Sequence, residues 1–285
     1  MDVGIGLPAT IKGVTGEQVL EWARRAEARG FSSLATIDRL VYGNYEPLVT
    51  LAAAAAVTTR IKLATTILVA PNRANGALLA KQAATIDHLS GGRLVLGVAV
   101  GGREDDYEAS HVDFHTRGKR LDAMLEEWQR IWAGESFGFA GAIGPRARPR
   151  LIIGGASDAA LARAAKYADG WISGGGAPDQ FAERLEALRQ AWRSAGREEE
   201  PITQALAYFA LGDRGEQAAD AYLRDYYAFL GEEIAGAIAA SAATDAETVR
   251  GYVDAFDKAG CGELVMIPCD PDPGQVDQLA ESLGR

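Results

Sequence analysis

The sequence predicts an α/β fold, a (β/α)8 barrel with irregular insertions at the carboxyl-terminal face of the barrel. Three observations support this prediction. Short apolar segments alternate with helical segments in a unit of about 30 residues, as a barrel of parallel strands requires. Residues 64–102 have the pattern of strand, helix and strand, which is a parallel βαβ unit. The alternation continues over all 285 residues without a break in composition, so a single barrel domain spanning residues 1–285 is favoured over a doubly wound open sheet.

Eight segments rich in apolar and β-branched residues are the predicted strands. They are residues 3–7, 33–37, 61–68, 94–100, 151–153, 170–172, 202–211 and 264–267. Helical periodicity predicts the segments between and after them. These are residues 16–29, 47–58, 77–90, 115–132, 159–167, 178–194, 217–231, 246–259 and 273–283. Thr15 is placed to cap the first helix and Gly91 to end the third, while residues 102–113 and 134–150 are expected to be irregular connections.

The composition excludes several classes of function. A net charge of −10 gives no basic footprint, which argues against nucleic-acid binding. No apolar run is long enough to span a membrane and no amino-terminal leader is evident, so a cytoplasmic protein without membrane partners is expected. The two cysteines, Cys261 and Cys269, do not suggest a disulfide framework. The three histidines lack zinc spacing, and no metal site is predicted.

Candidate functional residues are sought at the carboxyl ends of the predicted strands, where barrel enzymes place their chemistry. Two glycine-rich turns follow the fifth and sixth strands, each directly before a helix. Exposed backbone N–H groups beside a helix amino terminus form an anion site, although ordinary tight turns use the same residues. The candidates are Gly154, Gly155, Ala156, Ser157, Ser173, Gly174, Gly175 and Gly176 in these turns, with Asp38, Arg39, Thr65, Thr66, Ile67 and Gly101 at other strand ends.

Two segments resemble the luciferase-like flavin monooxygenase family: ATTILVAP at residues 64–71 and AKQAATIDHLSGGRLVLGVAVG at residues 80–101. Weaker similarity extends over nearly the whole chain. The resemblance implies a flavoprotein oxidoreductase that takes reduced FMN from a separate flavin reductase and uses oxygen on a small organic substrate. It further implies that the two glycine turns hold the flavin phosphate, that residues 65–67 carry a non-proline cis peptide under the flavin ring, and that the protein is a homodimer formed through its second and third helices.

Other members of that family use the deazaflavin coenzyme F-420 and transfer hydride without oxygen. In them Asp-His commonly ends the second strand, and the histidine acts in proton transfer. Here Arg39 replaces it, and arginine is a poor general acid or base near neutral pH but can bind an anion such as a reduced ring or a substrate carboxylate. Gly102 stands where some F-420 enzymes have an acidic residue. Reduced FMN is therefore favoured, with an F-420-dependent oxidoreductase and a non-catalytic flavin-binding barrel as alternatives.

Several further residues have two interpretations each. His111 is a candidate acid or base near the substrate, although a surface role at a helix entry is also consistent with its position. Residues 104–106 are expected to be a solvated charge run. Tyr222, Tyr226, Tyr227 and Phe229 crowd the seventh helix, as core residues or as a wall for a flat apolar substrate. Residues 232–243 are poor in large apolar side chains and are predicted to form a mobile lid.

Overall fold

Eight parallel strands close into a barrel in the computed structural model, which describes residues 1–139 and 141–285. The barrel strands are Asp2–Gly6 (β1), Ser33–Thr36 (β2), Lys62–Thr65 (β3), Leu94–Ala99 (β4), Arg150–Gly154 (β5), Gly170–Ile172 (β6), Ile202–Phe209 (β7) and Glu263–Pro268 (β8). Each strand pairs in parallel with the next one along the chain. Pairing of β1 with β8, with Val3 opposite Leu264, closes the ring. The predicted (β/α)8 class is confirmed.

Helices surround the barrel and connect its strands. They are Gly16–Ala28 (α1), Pro47–Ala56 (α2), Gly76–Ser90 (α3), Glu104–Ala109 (α4), Arg117–Trp132 (α5), Asp158–Tyr167 (α6), Pro178–Ser194 (α7), Gly215–Tyr226 (α8), Glu232–Ala240 (α9), Ala246–Lys258 (α10) and Gly274–Ser282 (α11). Thr15 caps α1 in a reciprocal capping box with Gln18. Gly91 ends α3 with a φ of 73°, a left-handed conformation that glycine adopts without steric cost.

The apolar side chains pack in two layers, as the alternation of each strand requires. The larger layer lies between strands and helices and includes the buried residues Trp22, Trp128, Trp171, Phe181 and Trp192. The smaller layer fills the barrel interior with Ala35, Ala64, Val95, Ile152, Ile172, Leu206 and Val265. These interior residues make the barrel a packed core, so a ligand site must lie at its mouth.

Three connections differ from the prediction. The third strand ends at Thr65, whose hydroxyl donates to the Gly97 carbonyl at 2.7 Å, and a separate short strand, Leu68–Val69, follows. Residues 102–113 contain the helix α4, whose first turn is the acidic run, a charge that favours a helix amino terminus. Residues 134–150 contain two short antiparallel strands, Ser136–Phe137 and Gly141–Ala142.

Residues 232–243 form a helix over most of their length, and Ala243 is tied to the end of β7 through backbone hydrogen bonds with Tyr208 and Ala210. Ala235 and Ala239 are the buried residues of this helix. Its mobility stays a prediction. None of the helices described within residues 1–139 and 141–285 has both the length and the apolar character that a membrane crossing needs.

Candidate functional site

The end of β3 forms the floor of the barrel mouth. The peptide bond between Thr66 and Ile67 is cis, at the place where the family resemblance implies one. The Thr66 backbone N–H donates to the Thr36 carbonyl at 2.7 Å, which joins the ends of β3 and β2. A Cβ atom on Gly154 would lie 2.8 Å from Ile67 Cγ2, so a glycine at the end of β5 lets Ile67 approach it closely.

The two glycine turns lie side by side. Gly154 of β5 is opposite Ile172 of β6, so the turns leave the same edge of the sheet. Two further hydrogen bonds link them: the Gly155 N–H donates to the Ile172 carbonyl at 3.3 Å, and the Trp171 indole N–H donates to the Gly155 carbonyl at 2.7 Å. Ser157 caps the helix that follows the first turn. The sequence placed both turns, and the structure brings them together.

The second turn is open to solvent along its backbone. Ser173 is buried, and its hydroxyl donates to the Gly175 carbonyl at 3.2 Å. Gly174, Gly175 and Gly176 are exposed. A Cβ atom on Gly174 or Gly175 would meet no heavy atom within 4 Å. The turn therefore has room for an anion beside bare backbone N–H groups, the arrangement that binds phosphate in many α/β proteins.

Asp38 uses one of its two carboxylate oxygens to bind the segment after β3. It is buried, and one carboxylate oxygen accepts both the Val69 backbone N–H and the Arg73 guanidinium, each at 2.8 Å. Arg73 also donates to the Val69 carbonyl and to Asn72 Oδ1. Burial opposes the charge of Arg73, but the neighbouring Asp38 carboxylate raises the pKa of Arg73 above its usual value. Asp38 thus ties the end of β2 to the segment after β3.

Arg39 points into an aromatic pocket and is 10% exposed. One terminal nitrogen donates to the Tyr226 carbonyl at 3.0 Å, and the other lies 3.6 Å from the half-exposed Asp105 carboxylate. The guanidinium carbon lies 4.8 Å from the centre of the Tyr42 ring and 5.5 Å from that of Phe229. Arg39 Nε is buried and has no hydrogen-bond partner. A solvated surface ion pair does not describe this environment.

Arg103 is a second arginine at the mouth, and the sequence reasoning missed it. It follows β4, and its guanidinium carbon lies 5.0 Å from the centre of the Tyr226 ring and 4.5 Å from that of Phe229. Its Nε is also buried without a hydrogen-bond partner. Within its own segment Arg103 resembles any polar loop residue, and only the fold reveals which aromatic rings it meets.

The acidic run after Arg103 was expected to be solvated, and this was wrong for Asp106. Asp106 is 1% exposed, and its Oδ1 accepts the backbone N–H groups of Leu40 and Val41 at 3.1 and 2.7 Å, while its Oδ2 is buried without a hydrogen-bond partner. These bonds hold the segment after β2 against α4. Asp106 therefore positions the chain around Arg39.

Tyrosines close the mouth on the side of β1, β7 and β8. The Tyr208 and Tyr227 hydroxyls are 2.6 Å apart, and the Tyr222 hydroxyl lies 2.7 Å from Thr10 Oγ1. Burial raises the pKa of Tyr208, Tyr222 and Tyr226, so these phenols stay protonated at neutral pH. Phe229 is the exposed member of the predicted aromatic group, at 42%. Tyr222 and Tyr226 are thus packed as core residues and Phe229 lies at the rim, while the role of the group as a wall for a flat substrate stays a prediction.

Two other predicted residues lie apart from this cluster. His111 is exposed, in a left-handed conformation with φ 53°, and its N–H donates to the Glu108 carbonyl at the end of α4. Its acid–base role stays a prediction. Gly101 has a φ of 66°, and a Cβ atom there would lie 2.8 Å from Val69 Cγ1. Only glycine fits at that point, which lets the chain after β4 pass close to Val69.

Comparison with known proteins identifies relatives. A family model described as luciferase-like monooxygenase matches residues 1–261. The pyrimidine monooxygenase RutA of Stutzerimonas stutzeri is 28% identical in an alignment of 274 positions that covers 82% of this chain and 74% of the relative.

Two solved structures have the same fold. An F420-dependent secondary alcohol dehydrogenase in complex with an F420-acetone adduct matches with a TM-score of 0.81 and 18% identity, over 99% of this chain and 98% of that one. The oxygenating constituent of 3,6-diketocamphane monooxygenase from Pseudomonas putida, in complex with FMN, matches with a TM-score of 0.74 and 16% identity, over 98% and 96% of the two chains.

Proposed function

The chain belongs to the luciferase-like monooxygenase family of oxidoreductases, and we propose that it oxidises a small organic substrate with reduced FMN and oxygen. The observation that carries the flavin site is the pair of adjacent glycine turns, the first of which contacts Ile67 at the end of β3, whereas the choice of FMN rests on Arg39. In this reading Thr65, Thr66, Ile67 and Gly101 lie under the flavin ring. The phosphate binds at Gly154, Gly155 and Ala156 of one turn and at residues 173–176 of the other.

The residues present fit a flavin phosphate. Backbone N–H groups in a turn, next to a helix amino terminus, attract an anion through aligned peptide dipoles. The turn at residues 173–176 has the empty space that such a group needs, since a Cβ atom on Gly174 or Gly175 would touch nothing within 4 Å. An F-420 phosphate fits the same turns, so this part of the site supports both flavins equally.

Arg39 favours FMN over F-420. Hydride transfer from an alcohol carbon needs a base that accepts the hydroxyl proton, and a base works best with a pKa near the operating pH. Arg39 cannot act as this base, because its guanidinium stays protonated. Asp38 is already bonded to Val69 and Arg73. An enzyme that uses oxygen depends less on such a base, whereas a fixed cation stabilises negative charge at the reacting centre.

The residues at the mouth have three tasks in this mechanism. The bound flavin supplies the redox chemistry. Asp38, through its bonds to Val69 and Arg73, holds the segment after β3 in place. Tyr208, Tyr222, Tyr226 and Tyr227 exclude water from one side of the mouth, and Arg39 presents positive charge. Asp38 is thereby a positioning residue rather than a proton carrier.

We also propose two partners, a separate flavin reductase and a second copy of the chain. Val49 on α2 and Leu78 on α3 are 67% and 50% exposed, although these helices pack together. They border an apolar groove lined by Leu48, Ala52, Lys81, Gln82, Thr85 and Ile86. A two-fold dimer buries this face against itself. Light scattering is expected to give twice the 30.2 kDa chain mass, with Val49→Glu shifting the protein toward monomer; a monomeric wild type contradicts the dimer.

An anaerobic titration tests the choice of cofactor. Reduced FMN and reduced F-420 are added separately to the protein, and binding is measured by the change in protein fluorescence. Tighter binding of reduced FMN is expected. Tight binding of F-420 with negligible affinity for FMN would make the chain an F-420-dependent oxidoreductase. Failure of both to bind would refute the flavin site itself.

A further inference from the structure

We infer that Arg39 and Arg103 together form a receptor for the carboxylate of a planar organic substrate. This substrate class rests on the proposed function, since the receptor lies at the same barrel mouth. The inference depends on how the two guanidiniums share their surroundings, on the carboxylates around them, and on their unused donors.

The two arginines share two aromatic rings. Arg103 lies 5.0 and 4.5 Å from the centres of Tyr226 and Phe229, and Arg39 lies 5.8 and 5.5 Å from the same two centres. All four distances are within the range of cation–π contact. The rings bring two like charges into one small region, where an anion between them relieves the repulsion.

Most of the nearby carboxylates make their hydrogen bonds to groups other than this pair. Asp105 lies 3.6 Å from Arg39 but is 43% exposed, so it contributes little. Asp38 is bonded to Arg73, and Asp106 accepts two backbone N–H groups. Within residues 1–139 and 141–285, no carboxylate oxygen was found within 4.0 Å of an Arg103 nitrogen. Among the described residues the two guanidiniums therefore have one ion-pair partner, the half-exposed Asp105, and the pair can accept a further carboxylate.

Each arginine also has an unused donor. The Nε atoms of Arg39 and Arg103 are both buried and lack a hydrogen-bond partner, and the Arg39 side chain is nine-tenths buried. An unsatisfied buried donor of a charged group is costly, and a carboxylate has two oxygens that accept from such donors. Stacking against Tyr226 and Phe229 adds a flat wall, which suits an aromatic or conjugated ring attached to the carboxylate.

The location agrees with a substrate role. Arg39 follows β2 and Arg103 follows β4, the two strands that flank β3 in the barrel. The cis Thr66–Ile67 peptide, which we place under the flavin ring, is at the end of β3. The glycine turns that we assign to the phosphate follow β5 and β6. The arginine pair thus follows the strands on either side of β3, and the phosphate turns follow the next two strands, β5 and β6.

Calorimetric titration with three probes tests the inference. Benzoate, 2-naphthoate and cinnamate are each compared with the corresponding uncharged amide, on protein with FMN and on flavin-free protein. At least one carboxylate is expected to bind about tenfold or more tightly than its amide, because charge-assisted hydrogen bonds exceed neutral ones. Arg103→Met and Arg39→Met are expected to remove that preference, and Arg103→Lys to retain part of it.

Arg130→Met is the matched control, since Arg130 also lies over an aromatic ring, 5.5 Å from the centre of Phe137, and outside the mouth. It should leave the carboxylate preference unchanged. Equal binding of all three carboxylates and their amides to the unmodified protein overturns the inference and needs no variant to fold. Loss of FMN affinity in Arg103→Met as large as the loss of carboxylate affinity also overturns it, because the pair then serves the flavin. Absence of FMN binding refutes the proposed function alone, since the flavin-free titrations still decide the carboxylate site.

Discussion

Placing a negative charge in the second glycine turn should weaken FMN binding through its phosphate. Gly174 is the suitable position. Its φ lies outside the left-handed region, and a Cβ atom there meets nothing within 4 Å, whereas Gly175 has a φ of +116° that strains any side chain. Gly174→Asp therefore adds a carboxylate without disturbing the turn, and Gly174→Asn adds the same shape without the charge.

The magnitude follows from Coulomb's law. Two unit charges about 6 Å apart interact by about 0.7 kcal/mol at the dielectric constant of water, and a phosphate monoester carries a charge of about −2. The repulsion is then about 1.4 kcal/mol, or about a tenfold loss of affinity. We use the dielectric constant of water because Gly174 is exposed. Added salt should therefore reduce the repulsion between the introduced carboxylate and the phosphate.

The assay compares FMN with riboflavin, which has the same ring and no phosphate. Dissociation constants are measured by flavin fluorescence for the wild type, Gly174→Asp and Gly174→Asn. Gly174→Asp should bind FMN about tenfold more weakly than the wild type does and riboflavin almost as tightly. Gly174→Asn should bind both flavins with the affinity of the wild type. Equal losses for Asp and Asn, or for FMN and riboflavin, would refute the phosphate assignment and indicate damage to the turn.

Three further predictions concern the frame of the site. Gly97→Ala places a Cβ atom 2.1 Å from the Thr65 carbonyl oxygen, so the free energy of unfolding measured in urea should fall by about 1–3 kcal/mol. An unchanged free energy of unfolding would contradict this packing. Asp38→Asn leaves Arg73 without its buried carboxylate, so the free energy of unfolding in urea should fall by about 3 kcal/mol. Burial opposes the charge of Glu27, but three backbone N–H donors lower its pKa. Glu27→Gln should therefore lower the free energy of unfolding at pH 7, and this difference from the wild type should disappear as the pH falls through the lowered pKa. An equal difference at pH 7 and below that pKa would refute the prediction.

The sequence predicted the frame better than the site. Periodicity and glycine spacing are local signals, so the eight strands, Thr15 as a cap and the two turns after β5 and β6 follow from short segments. The resemblance of residues 64–71 to a known family placed the cis peptide, which β-branched residues alone do not reveal. Each of these features is determined by residues that are neighbours in the chain.

The contacts at the mouth depend on residues far apart in sequence. Arg103 meets Phe229, and Asp106 accepts N–H groups of Leu40 and Val41, yet each looks like a solvated charge within its own segment. Asp38 ended a strand where a catalytic acid was plausible, and only the fold shows that Arg73 occupies it. Contacts between residues far apart in the sequence therefore decided the parts of the site that local patterns left open.

Single-turnover mixing with oxygen tests most directly whether the protein uses reduced FMN with oxygen. Protein saturated anaerobically with reduced FMN is mixed with oxygenated buffer, and flavin absorbance is followed beside free reduced FMN. We expect oxygen to reoxidise the bound flavin with kinetics distinct from those of free flavin, and reduced FMN to bind more tightly than reduced F-420. Reoxidation identical to that of free flavin, together with tight binding of reduced F-420, would contradict this expectation.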